Sequence, residues 1–118
     1  MGEKLILLVD DEPDICTELS QFLTTKGYEV VTAENGKKGL ALFKKLKPDV
    51  VISDYKMPVM NGFELLLHIK RINKSVKVIL VSAVVDLDPF VLTKNSSSFE
   101  FMDKPVDLNK LLEMIQKE

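Results

Sequence analysis

A single cysteine, Cys16, stands in the 118 residues, so no internal disulfide can form and a reducing compartment is expected. Cys16 falls among Ile15, Leu19 and Phe22, where a thiol reads as a small packed hydrophobe before it reads as a nucleophile. Histidine is as scarce: His68 is the only one, and "LLLHIKRI" offers it no acidic partner at helical spacing, so a structural role is expected rather than a phosphohistidine relay. No segment approaches the ~20 apolar residues of a membrane span. "LILLV" (5–9) is too short for the core of a signal peptide. These absences make a cytoplasmic location, with no membrane partner, the expectation. A strong charge bias is also missing. The net charge of −2 and the lack of a basic stripe give no electrostatic footprint for direct nucleic-acid binding, and the lysines of "GKKGLALFKKLKP" are expected on the solvated face of a helix.

What is present describes one globular domain spanning residues 1–118, with 46% hydrophobic and 29% charged residues and enough length to bury a core without staples. Apolar β-rich runs alternate with amphipathic stretches. "KLILLV" (4–9), "YEVVTA" (28–33), "DVVISD" (49–54), "VKVILVSA" (76–83) and "FEFM" (99–102) are expected strands. The first helix is expected to start at Pro13 and stop at Gly27, with Ile15, Leu19, Phe22 and Leu23 on one face. Strands 1, 3 and 4 are nearly continuous apolar runs, which implies burial on both faces and hence a parallel sheet covered by helices. Alternating strands and helices with short connections then predict a doubly wound α/β domain.

In such sheets ligands bind beyond the carboxyl ends of the strands, where the strand order reverses. Polar residues collect there. Asp10 and Asp11 end the first strand, Asp54 the third and Ser82 the fourth, and Lys104 follows the fifth. Adjacent carboxylates about 4 Å apart repel by roughly 4 kcal/mol at an effective dielectric near 20, so their place at the lip of a core calls for a compensating charge. Three carboxylates without a thiolate or ligating histidine suit Mg²⁺. A lysine and a hydroxyl nearby suit phosphoryl oxygens, and a carboxylate not wholly committed to metal can act as nucleophile. A lone Asp at a strand end is usually a turn residue, and "DEPDI" could simply cap the first helix. That reading does not account for all four strand ends at once.

"VDDEPDI" (9–15), "ISDYKMPVMNG" (52–62), "VSA" (81–83) and "DKP" (103–105) stand in an order and at separations that resemble the receiver domain of bacterial two-component response regulators. The separations are 43 residues from Asp11 to Asp54, 28 on to Ser82 and 22 on to Lys104. The resemblance covers essentially the whole chain. It implies a flavodoxin-like five-stranded sheet of order 2-1-3-4-5. It further implies that Asp54 accepts a phosphoryl group from a sensor histidine kinase, a phosphotransfer protein or a small acyl phosphate. Asp11, Asp54 and the main-chain carbonyl of Lys56 would hold Mg²⁺, with Asp10 helping. Lys104 would contact the phosphoryl oxygens, Ser82 would swing toward one of them, Pro105 would shape the turn that aims Lys104, and Phe101 would be the aromatic switch partner. Kinase docking would fall near Ile15, Pro105 and Val106. Such a protein catalyses only its own phosphorylation and dephosphorylation. The competing readings are an Mg²⁺-dependent phosphohydrolase, for which this length leaves no room for a cap, and a degenerate receiver that acts only as a protein-interaction module.

The chain departs from the family pattern in "DLDPFVLTKNSSSFEF". Asp88 and Pro89 offer a helix start, but the signals end near Asn95 and three serines follow, so a short or irregular fourth helix and then a mobile loop are expected. Phe101 lacks the hydroxyl of the tyrosine common at that position, so a signal there would travel through packing. Lys56 and Val84 do not suit the positioning of a hydrolytic water, which implies slow loss of the phosphoryl group; Lys56 reads equally well as a solvent-facing lysine. No DNA-binding motif or other output domain is recognisable in these residues, so the output partner is not specified.

Overall fold

Five short strands, four of them runs rich in β-branched and aliphatic residues, pair side by side in parallel in a computed structural model of the chain, which describes residues 4–83, 86 and 99–117. The strands are β1 (Leu5–Val9), β2 (Glu29–Ala33), β3 (Val50–Asp54), β4 (Lys77–Ser82) and β5 (Glu100–Asp103), in the order β2-β1-β3-β4-β5. The order expected from the resemblance is the one found. The helices are α1 (Pro13–Thr25), α2 (Gly36–Leu46), α3 (Gly62–Ile72) and α4 (Leu108–Gln116). The helix and loop expected between Asp88 and Ser98, and Val84 with them, lie outside the described residues.

The sheet separates two apolar layers because successive strand residues point to opposite faces. Leu7, Val9, Val51 and Leu80 meet Phe43 of α2 and Phe63, Leu66 and Ile69 of α3 on one face. Ile6, Leu8, Ile52 and Val81 meet Leu19 and Leu23 of α1 and Leu111 and Ile115 of α4 on the other. β3 is buried at every position, whereas the edge strands β2 and β5 are only partly buried. The inner strands therefore carry the continuous apolar runs. No helix among the described residues is long and apolar enough to cross a membrane.

Local chemistry sets the helix ends. Gly27 takes a left-handed φ of 94° after α1, as expected for a C-terminal glycine. The Asn35 side chain accepts from the Lys38 N–H at the start of α2, and Asp107 does the same for Lys110 at the start of α4. At α3, Asn61 and Glu64 form a reciprocal capping box. The glycine behind that cap has a tertiary duty. A Cβ on Gly62 would stand 2.5 Å from the Asp54 carbonyl oxygen and 3.0 Å from Tyr55 Cα. Only a bare Cα lets α3 begin directly against the end of β3, with the Gly62 N–H donating to Tyr55 O at 2.8 Å. Gly62→Ala is expected to lower the unfolding free energy by at least about 2 kcal/mol in urea denaturation, because the neighbour is backbone and cannot move aside.

Candidate functional site

The strand order reverses between β2-β1 and β3-β4-β5, and the carboxyl ends of β1 and β3 meet at that point. Asp10 leaves β1 with its N–H on Ala33 O at 3.1 Å, and its Oδ1 accepts the Glu12 N–H at 2.9 Å. That side-chain bond turns the chain into α1. Glu12 stands at the cap position of α1 but makes no side-chain cap bond, so simple helix capping does not explain the acidic run. Asp10 is buried, Asp11 exposed, and Asp54 at the end of β3 only 5% exposed. One carboxylate oxygen from each of Asp10, Asp11 and Asp54 lies within 4.8 Å of the others. At that separation two full charges repel by about 3 kcal/mol at an effective dielectric near 20.

One cation answers them in the protein itself. Lys104 Nζ lies 3.0 Å from Asp54 Oδ1. The contact falls outside the angular range of a hydrogen bond, so this buried oxygen has an ion-pair partner but no aligned donor. Lys104 is carried there by the turn after β5, where its N–H donates to Ser82 O at 3.1 Å and its peptide bond to Pro105 is cis. Ser82 is buried, and its hydroxyl donates to Ala83 O at 2.9 Å.

Burial dominates the electrostatics. It raises Asp10 from its usual 3.8 to about 6, against the Glu12 N–H, while the Asp54 charge adds to the rise. Burial raises Asp54 as well, with the Lys104 ammonium pulling it back. For Lys104, burial works against the ammonium, yet the Asp54 carboxylate prevails and the net shift is upward. Cys16 is raised by burial and then by the Asp10 charge, and its Sγ sits 3.5 Å from Asp10 O, which fits the packed thiol expected from its neighbours.

The donor set is all carboxylate oxygen, half-enclosed, with an unaligned buried oxygen and more negative charge than Lys104 offsets. These features fit a hard divalent cation. A cavity of about 510 Å³ opens over them, lined by Asp11, Asp54, Lys56, Ser82 and Lys104 among others. The structure thus gathers Asp10, Asp11, Asp54, Ser82 and Lys104 at one rim. Lys56 reaches the same cavity from the loop after β3; its side chain is 77% exposed and its Nζ is 3.8 Å from Asp86 Oδ1. That pairing was not foreseen, since nothing in the spacing of the two residues signals it. Phe101 is half-buried in the α2–α3 layer, opposite Leu80 and two residues from Ser82 in register, on the same face of the sheet. Ile15 and Val106 are half-buried against the other layer, beside exposed Pro105. His68 is exposed on α3 and, among the described residues, belongs to no acidic cluster.

A doubly wound parallel sheet with three carboxylates, a hydroxyl and a lysine at the carboxyl ends of its strands defines a flavodoxin-like domain with an oxygen-lined acidic centre that fits a cation. The family model of the response regulator receiver domain matches residues 6–116, and the chain belongs to that family, the receiver domains of two-component response regulators. It is 38% identical over 110 residues, 93% of this chain, to the transcriptional regulatory protein GlrR of Escherichia coli (strain K12), of whose length it spans 25%. It is 33% identical over 117 residues to sporulation initiation phosphotransferase F of Bacillus subtilis (strain 168), covering 99% of this chain and 94% of that protein. Among solved structures, the response regulator TrrA of Thermotoga maritima in complex with Mg²⁺-BeF superposes with a TM-score of 0.85 at 36% identity, covering 97% of each chain.

The buried, repelling carboxylates make a direct prediction for the metal-free protein. An acid whose folded value lies above its unfolded one destabilises the fold above the folded value, and the penalty fades as pH falls to the unfolded value. Asp10→Asn keeps the acceptor for the Glu12 N–H and removes the charge. It is expected to raise stability by about 2 kcal/mol at pH 7 in chelator, with the gain fading as pH falls from about 6 to 3.8. Urea denaturation of both proteins across that range checks it.

Proposed function

We propose that this receiver domain takes a phosphoryl group onto the Asp54 carboxylate from a phosphohistidine of a sensor histidine kinase or phosphotransfer protein, or from a small acyl phosphate, and passes the change to an output partner. The supporting observation is the geometry of Asp54: buried, 3.0 Å from the Lys104 ammonium, with carboxylate oxygens of Asp10 and Asp11 within 4.8 Å.

Asp54, Asp11 and Asp10, with the main-chain carbonyl of Lys56, are the groups that would hold Mg²⁺. When bound, Mg²⁺ supplies positive charge for the phosphoryl oxygens and offsets the carboxylate repulsion. An Asp54 carboxylate oxygen attacks phosphorus. The new P–O bond forms as the P–N bond to the donor imidazole breaks, and the electron pair leaves with that nitrogen. Lys104 contacts an equatorial phosphoryl oxygen that carries growing charge. Pro105 shapes the turn that presents the ammonium.

The switch follows from where Ser82 donates at rest. Its hydroxyl exchanges Ala83 O for a phosphoryl oxygen, which draws the end of β4 toward Asp54. Phe101, on the same face of the neighbouring strand, repacks into the space released; it has no hydroxyl, so the signal travels by packing alone. Ile15 and Val106 flank the site as apolar contacts for the phosphodonor. Lys56 is mostly exposed and held toward Asp86, a poor post for orienting a hydrolytic water, so the acyl phosphate is long-lived. The identity with sporulation initiation phosphotransferase F over nearly its whole length, and the Mg²⁺-BeF complex of the Thermotoga protein, support the same chemistry here.

Intact mass after incubation with acetyl phosphate and Mg²⁺ is expected to rise by one phosphoryl group in the wild type and not in Asp54→Ala. After removal of the donor the adduct should persist for minutes or longer. No gain in either protein would leave partner binding alone as the function.

A further inference from the structure

A second cavity, also of about 510 Å³, opens beside the acidic site on the other face of the sheet, between α1 and the turn that carries Lys104. The chemistry proposed above uses Asp10, Ile15, Asp54, Lys104 and Val106 of its lining and leaves Leu8, Leu19, Ile52 and Val81 without a part. Its floor is Leu8, Ile52 and Val81, and Leu19 and Val106 form its walls. The floor residues are at most 5% exposed, so the cavity reaches the core rather than lying flat on the surface. Its volume falls in the range of sites for small organic ligands, about 300–1,000 Å³.

The mouth has a definite charge. Exposed Glu12 and Glu18 and, deeper in, buried Asp10 and Asp54 belong to the lining, against the single ammonium of Lys104, which is already engaged by Asp54. An anionic ligand entering here would meet four carboxylates with no uncommitted cation to receive it. A neutral ligand would leave the rim uncompensated, and a cationic head would neutralise it. An apolar chamber ending in carboxylates is complementary to a molecule with an apolar body and one protonated amine.

We propose that the cavity between α1 and the Lys104–Val106 turn is a binding site for small amphipathic organic amines, with the apolar body among Leu8, Leu19, Ile52 and Val106 and the ammonium at the acidic mouth. Asp10 and Asp54 belong to both cavities' surroundings, because the first also lies at the oxygen cluster within 4.8 Å and the second lines both. Amine and divalent cation therefore draw on the same negative charge and weaken one another, by the same factor in each direction. Site occupancy would tie the divalent-cation centre to the level of a small molecule.

The test needs no phosphoryl transfer, so its result stands apart from that of the phosphorylation experiment. The probes are 3-phenylpropylamine, 3-phenylpropanol and 4-phenylbutyrate, titrated into the ¹⁵N-labelled chain with and without saturating Mg²⁺. The amine is expected to shift the amide resonances of Ile15, Leu19, Val81 and Val106, to bind at least tenfold more tightly than the carboxylate, and to weaken severalfold when Mg²⁺ is added. Val106→Trp, which fills the cavity from its rim, and Glu18→Lys, which reverses one charge at the mouth, should each weaken the amine at least tenfold while retaining the dispersed spectrum of the folded chain. Equal binding of amine and carboxylate, shifts at other residues, or no binding of any probe would overturn the proposal. The last result would leave the cavity to a protein partner.

Discussion

The ion pair of Asp54 with Lys104 is the interaction on which the rest of the site is arranged. It is the only opposite charge within reach of Asp54 among the ion pairs of the described residues, and it faces a cluster in which Asp10 and Asp11 also stand. Each carboxylate pair opposes the fold by a few kcal/mol at full charge, comparable to a sizeable share of a small domain's net stability of about 5–15 kcal/mol. Lys104 offsets part of this and no more. The domain tolerates the remainder because the strands that bear the acids are its best-buried elements, with β3 enclosed at every position. A rigid core thereby holds charges together that would otherwise separate.

The topology explains why the acids come from different segments and still meet. Parallel strands all end at one rim, and the chain changes direction across the sheet between β1 and β3. Asp10 follows β1 and Asp54 ends β3, the two strands that flank this reversal, while Ser82 ends β4 and Lys104 follows β5. Gly62 completes the arrangement. Without a Cβ it lets α3 press on the Asp54 carbonyl, and the loop between them brings Lys56, Met57 and Pro58 to the cavity over the acids. Within that loop Val59 is 99% exposed and holds a left-handed φ of 70°, a conformation costly for a β-branched residue. The strain lies beside the functional rim, in a tight turn that the Met60 N–H closes on Pro58 O at 2.8 Å.

Much of this was legible in the residues. The inner strands declared themselves through runs such as "LILLV" and "VVIS", because burial on both faces leaves no polar alternation to confuse with a helix. Asp10, Asp11, Asp54, Ser82 and Lys104 could be placed at one rim because a parallel sheet sends every strand end the same way. What stayed hidden depends on rotamers and on contacts between distant loops. The Ser82 hydroxyl donates to Ala83 O, Lys56 leans toward Asp86, and the cavity beneath Ile15 and Val106 is a gap between elements rather than a property of any one segment. The stretch expected to form a weak helix before β5 lies outside the described residues, so its composition remains its only description.

In the proposed function the clustered carboxylates are a standing electrostatic cost that a divalent cation relieves. The most direct measurement is the urea midpoint of the wild type as Mg²⁺ is titrated in at constant ionic strength, beside Asp11→Asn. Mass action predicts a wild-type stability that climbs with the logarithm of Mg²⁺ concentration, by about 2.7 kcal/mol at a hundredfold excess over the dissociation constant, with a much smaller rise in the variant. A wild-type midpoint that does not move with Mg²⁺, or that moves equally in both proteins, would contradict it.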